Sequence, residues 1–222
     1  MARSQQIPAL VAVGPSLWLV PDGQVVVLDA ERGVMDWRPS PEGLESAQGR
    51  IAQAESRRRQ AGRSAARPAV TRDGIRVEVA ANVSRPEEAG AAGSQGADAV
   101  GLLRTELLFL ERDTPPTEEE RREAYQAVVD ALGGRTVIIR TLDVGADKQL
   151  AYLPMPHEDN PALGLRGVRL GLARRELLAD QLRACLRVRP LNLVRLMLPM
   201  VTDLDDLLRA RECSGPRRRH WA

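Results

Sequence analysis

The chain has 222 residues, 43% of them apolar and 28% charged, with a net charge of +2, which fits a soluble protein of one domain or a domain and a half. No apolar run is long enough to span a bilayer as a helix and the start lacks a signal-peptide layout, so no membrane insertion is expected and cytoplasmic residence is the default. The 32 basic residues are matched by 30 acidic ones and aromatic content is only 3%, which argues against a nucleic-acid partner.

Residues 1–39 read as short strands at 9–13, 18–20 and 25–28, with turns at Pro21-Asp22-Gly23 and Glu31-Arg32-Gly33. So small a piece buries too little apolar surface to stand alone, which marks it as the end of a larger domain. Ser40-Pro41 then supplies a helix N-cap and a first-turn proline. The predicted helix runs to about Arg67-Pro68, and its thin apolar face is that of a bridge between domains. Its Arg57-Arg58-Arg59 triplet reads as a solvated face.

From residue 70 onward strand and helix patterns alternate. Asp73-Gly74 turns into a strand over 76–83, a short helix follows over 87–95, and Gly96 closes it. The strand at 99–103 ends at Arg104-Thr105-Glu106. Thr117 and Glu120 have capping-box spacing for a helix that buries Ala124, Val128 and Ala131, or their neighbours, and stops at Gly133-Gly134. A strand over 136–139 follows, then a long polar loop, a helix over 174–188 with Leu178, Leu182 and Cys185 on one stripe, and a strand over 193–200. Thr202 or Asp203 caps a last helix that runs to about Glu212. Four β/α units imply parallel strands with right-handed crossovers. A doubly wound sheet and a (β/α)8 barrel both satisfy that pattern; arginines after two separate strands favour the barrel, which gathers strand ends at one mouth.

Chemistry concentrates where the strand at 136–139 ends. Arg140, Asp143, Asp147, Lys148, Arg166 and Arg169 lie in the loop that follows it. Guanidiniums converging there would make a fork-shaped receptor for phosphate and carboxylate. From spacing alone, Arg104 and Arg140 read equally well as ligand-binding or as structural arginines paired with Glu106 and Asp143. Lys148 is the single lysine against 31 arginines. Cys185 and Cys213 show no metal or redox spacing, and Cys185 reads as a small buried hydrophobe.

The series GLLRTELLFLERDTPPTEEE (101–120), RTLDVGADK (140–148), HEDNPALGLRGVR (157–169) and LVRLMLPMV (193–201) resembles Enzyme I, the phosphoenolpyruvate–protein phosphotransferase of the bacterial sugar phosphotransferase system. The resemblance implies an α/β chain holding the first four β/α units of an incomplete (β/α)8 TIM barrel over 69–212. A helical linker over 40–68 and the C-terminal remnant of a phosphohistidine swivelling domain over 1–39 would precede it, and 213–222 would be a basic tail foreign to the family. It further implies phosphoenolpyruvate as substrate, Mg2+ as cofactor, and phosphoryl transfer to a swivelling-domain histidine and on to an HPr-type carrier. Arg104, Arg140 and Arg166 match the family's phosphoenolpyruvate-binding arginines, and Lys148 matches a lysine of the same loop. Glu106, Asp143 and Asp147 would orient them. The phospho-accepting histidine, the proton-donor cysteine and the metal ligands belong to parts of the family enzyme outside these motifs, so the chain is expected to be inactive alone; a homodimer is implied for the complete enzyme. Two rivals share the motifs' logic: pyruvate phosphate dikinase or phosphoenolpyruvate synthase, and a non-catalytic anion-binding remnant.

Overall fold

The computed structural model describes residues 7–110, 112–145 and 150–215. They fall into two compact units, 1–64 and 65–222.

In the first unit a 3-10 turn, η1 (Pro15–Leu19), precedes the antiparallel hairpin of β1 (Val27–Asp29) and β2 (Val34–Asp36), and helix α1 (Pro41–Ser64) follows. The turn at Pro21 closes through Gln24 N donating to Pro21 O at 3.1 Å, with Gly23 at φ 79°. In the hairpin turn the Asp29 carboxylate accepts from Arg32 N at 3.0 Å, and Gly33 takes the left-handed conformation that most residues avoid. Ser40 caps α1 as expected, its Oγ accepting from Gly43 N at 3.0 Å. The helix stops at Ser64, short of Arg67. Two expected strands do not form: residues 9–13 carry no strand, and Trp18 and Leu19 belong to η1. Gly14-Pro15 starts a helical turn there, since proline presets the φ of a first turn. Ala47 is the only buried residue among the described ones of this unit, so it has little core of its own.

The second unit opens with a hairpin of β3 (Ala69–Val70) and β4 (Arg76–Val77) around Thr71, whose Oγ1 accepts from Ile75 N at 3.0 Å. The single strand expected over 76–83 is therefore two, β4 and then β5 (Ala80–Val83). Asp98 accounts for the break: its carboxylate accepts from Arg76 Nη2 at 3.1 Å and from Val79 N at 2.9 Å, drawing the intervening backbone out of the ladder. Thereafter come α2 (Pro86–Ser94), β6 (Ala99–Leu103), α3 (Glu106–Phe109), α4 (Glu118–Leu132), β7 (Val137–Arg140), α5 (Gly167–Ala173), α6 (Arg175–Arg187), η2 (Leu191–Leu193), β8 (Val194–Met197) and α7 (Leu204–Cys213).

Strands β5 to β8 form one wholly parallel sheet in the order β5-β6-β7-β8, each beside its successor in sequence. That order contains no point at which the sheet reverses, the hallmark of a doubly wound fold. Along β7, Val137 and Ile139 are buried against the helices with Val100, Tyr125, Val128 and Ala184. Each fully buried side chain of this size contributes about 1.5–3 kcal/mol. The alternate residues, Ile138 and Arg140, face the other way and stand in register with Arg195 and Met197 of β8.

Helix α4 keeps its expected capping box, Glu120 N donating to Thr117 Oγ1 at 3.2 Å and Thr117 N to Glu120 Oε2 at 2.7 Å. Its buried stripe holds Val128 and the neighbours of the other two expected positions: Arg121, Tyr125, Val128, Val129 and Leu132 face inward while Ala131 is exposed. The bulkier Tyr125 and Leu132 take the core side. The expected helix over 174–188 is α6, with Leu178, Leu182 and Cys185 buried, and Asp203 caps α7 by accepting from Asp206 N at 2.9 Å. Burial pushes the Cys185 thiol well up, so it stays protonated and inert, as its place on the stripe predicts.

Candidate ligand site at the strand ends

Strands β6 and β7 are parallel, so the residues that follow them emerge on one side of the sheet. Arg140 is the last residue of β7, and Glu106 opens α3 three residues after β6 ends. Arg140 Nη2 lies 2.6 Å from Glu106 Oε1, and Arg140 Nη1 lies 3.4 Å from Asp143 Oδ2. The second oxygen of Asp143 accepts from Arg166 Nε at 2.9 Å. One carboxylate thus bridges two guanidiniums, and a second holds Arg140 from the side. The acids are nearly enclosed, with side-chain exposures of 4% for Glu106 and 9% for Asp143, while Arg140 and Arg166 keep 19% and 20%. The acids form the inner wall and the arginines reach outward. Ion pairs in so sheltered a place fix the planes of both guanidiniums, which pre-organises them for an anion.

The loop that carries Arg166 is folded tightly by two glycines. A Cβ on Gly164 would fall 2.2 Å from Glu158 Oε2, where that carboxylate accepts from Leu165 N at 3.0 Å. Gly167 has φ +56°, and a Cβ there would meet Pro199 O at 2.7 Å. These glycines serve the loop's own packing. Arg169, gathered with the site arginines in the sequence, instead clasps backbone: it donates to the carbonyls of Leu163, Gly164 and Met200 at 2.8–3.3 Å.

The structure therefore brings together Arg140, Arg166, Glu106 and Asp143. Arg104 stands apart from this chain of ion pairs. It is exposed, makes no side-chain hydrogen bond or ion pair among the described residues, and lines a cavity of about 220 Å3 with Ser84, Arg85, Leu107 and Tyr125. Lys148 and Asp147 lie outside the described residues. His157 is exposed. No group of three His, Cys, Asp or Glu side chains among the described residues is placed to hold a metal, and Glu106 and Asp143 give oxygens to guanidiniums, so this cluster does not fit Mg2+.

A family profile described as "PEP-utilising enzyme, PEP-binding domain" (PEP, phosphoenolpyruvate) matches residues 58–220. The chain belongs to this family. Among curated relatives, the multiphosphoryl transfer protein of Xanthomonas campestris pv. campestris is 43% identical over 96% of this chain and 25% of its own length. The multiphosphoryl transfer protein of Rhodobacter capsulatus is 44% identical over 95% of the chain and 26% of its own length. The phosphoenolpyruvate-protein phosphotransferase of Geobacillus stearothermophilus is 39% identical over 95% of the chain and 36% of its own length. The chain spans about a quarter to just over a third of the length of these relatives. Its four-residue ion-pair chain lies wholly within the matched domain.

Three polar residues around this cluster escape a reading of charges alone. Thr105, Gln181 and Tyr125 are buried and hydrogen-bonded to one another behind it. Gln181 carried a usable signal, since it falls on the same helical stripe as Leu178, Leu182 and Cys185.

Proposed function

We propose that the strand-end cluster binds phosphoenolpyruvate in an Enzyme I-type phosphotransferase, Arg140 and Arg166 taking the phosphate and carboxylate and Arg104 adding a third cation from the neighbouring strand end. The observation that carries this reading is the Asp143 carboxylate shared between Arg140 and Arg166 at the open end of a parallel sheet. Phosphoryl transfer needs positioning and charge neutralisation more than covalent help from the protein, and guanidinium forks held in fixed planes supply both. The resemblance adds Lys148 and Asp147 to the residues proposed to serve phosphoenolpyruvate binding.

In this reading residues 69–212 are the first four β/α units of a TIM barrel, 40–68 its linker helix and 1–39 the end of a swivelling phosphohistidine domain. The phosphoryl group passes to a histidine of that domain and on to an HPr-type carrier. Mg2+ is held by carboxylates other than Glu106 and Asp143, the complete enzyme is a cytoplasmic homodimer, and this chain alone does not turn over. Titration calorimetry with phosphoenolpyruvate tests the binding step. Arg140→Lys keeps the charge but loses the two-pronged geometry, and is expected to weaken binding by roughly tenfold to a hundredfold. No binding by the parent chain, or equal binding by the variant, overturns the proposal.

A further inference from the structure

Directly behind the ion pairs, one buried amide joins segments far apart in sequence. Gln181 on α6 is 1% exposed. Its Oε1 accepts from Leu142 N at 2.9 Å, and its Nε2 donates to Thr105 Oγ1 at 3.2 Å and to Tyr125 Oη at 2.9 Å. Thr105 Oγ1 in turn donates to Arg140 O at 3.0 Å. The amide's orientation is fixed chemically: a backbone N–H only donates, so Leu142 must face the oxygen, leaving both N–H groups for the two hydroxyls. An ionised acid could accept from Leu142 N but could not donate to the two hydroxyls, and an apolar residue could make none of the three bonds.

What it grips matters more than how many bonds it makes. Thr105 is the residue between Arg104 and Glu106, and Leu142 immediately precedes Asp143. The amide therefore holds the two turns whose charged members make the Arg140 ion pairs, and the Thr105 hydroxyl ties the first of them to the carbonyl of Arg140 itself. Tyr125 anchors the other end in the hydrophobic core, where burial pushes its phenol up and keeps it neutral.

We propose that Gln181 is a positioning residue: through Thr105 and Leu142 it sets the spacing of the two strand-end turns, and hence the angle at which Arg140 and Arg166 meet an anion. This rests on the phosphoenolpyruvate reading. It predicts that loosening Gln181 harms ligand affinity out of proportion to stability, because small misplacements of charge-bearing groups are costly at such sites.

The test uses the full chain, phosphoenolpyruvate as probe, and two readouts. Gln181→Met preserves volume and removes the tether. Leu142 amide hydrogen exchange should then accelerate, and phosphoenolpyruvate binding should weaken by roughly tenfold or more. Leu182→Ala, one position along the same helix, opens a cavity and lowers Tm at least as far, yet should leave affinity within about twofold. Thr105→Val should weaken binding like Gln181→Met, and Thr105→Ser, which keeps the hydroxyl, should restore it, so the idea remains testable should Gln181→Met fold poorly. Unchanged Leu142 exchange in Gln181→Met, or affinity that merely follows Tm across all four variants, overturns the inference. Failure of the parent chain to bind phosphoenolpyruvate overturns the proposed function instead, while Leu142 exchange still reports on the tether.

Discussion

Asp143 has one carboxylate oxygen for each of two guanidiniums, and two effects of removing its charge oppose each other. Asp143→Asn leaves the cluster one unit more positive, which favours an anion, but frees Arg140 and Arg166 from a shared anchor. Orientation should prevail, because a guanidinium's advantage over a point charge lies in its fixed plane. Lower phosphoenolpyruvate affinity together with a lower Tm is the expected calorimetric result, and tighter binding would show that net charge governs the site. Gly167→Ala makes a purely steric companion test: with φ at +56° and Pro199 O in the way, the loop must shift, and a loss of about 2 kcal/mol or more is expected in a denaturant titration. Arg140, Arg166, Glu106 and Asp143 were legible in the sequence because charged residues after a buried strand have few places to go. The separation of Arg104 was not, since it depends on the four-residue α3, which turns Glu106 back toward Arg140 while Arg104 stays outward. So short a helix leaves no periodic trace.

At the scale of elements, α4 is where local chemistry and stability are most directly linked. Glu120 is held at about 2, first by the hydrogen bond from Arg112 and then by Thr117, against an ordinary 4.5. A carboxyl whose folded-state value lies below its unfolded one stabilises above the unfolded value and loses that contribution as pH falls toward the folded one. The contribution of this cap should therefore be complete above pH about 4.5 and disappear progressively toward pH about 2. Thermal melts of Glu120→Gln and the parent chain across that range should converge at the acid end. Thr117→Ala removes the other half of the box and should cost about 1 kcal/mol. Beside it, Glu118 and Glu119 pair with Arg183 and Arg187 of α6, but at side-chain exposures of 28–49% these bonds are screened and add little. The capping box and the helix stripes were readable because they obey spacing rules. The strands expected at 9–13 and 18–20 failed for a complementary reason: alternation shows which face a strand would bury, and not whether a partner strand exists to receive it.

Across the second unit the helices cover one face of the parallel sheet, while Arg195 and Met197 remain exposed on the other and β5 and β8 have no further strand beside them among the described residues. Unpaired parallel edges are templates for another chain. Sedimentation over a range of concentrations should show self-association of the purified chain, and a monomer at every concentration would count against open edges in solution. The same sheet has a temporal side. Because each strand lies beside the one translated just before it, a nascent chain leaving the ribosome finds the docking edge for every new β/α unit already built. Assembly can then proceed vectorially, from amino to carboxyl end, with protease resistance gained unit by unit. Gln181 reaches back to residues synthesised long before it, so the strand-end turns are locked only once α6 has emerged, ahead of β8 and α7.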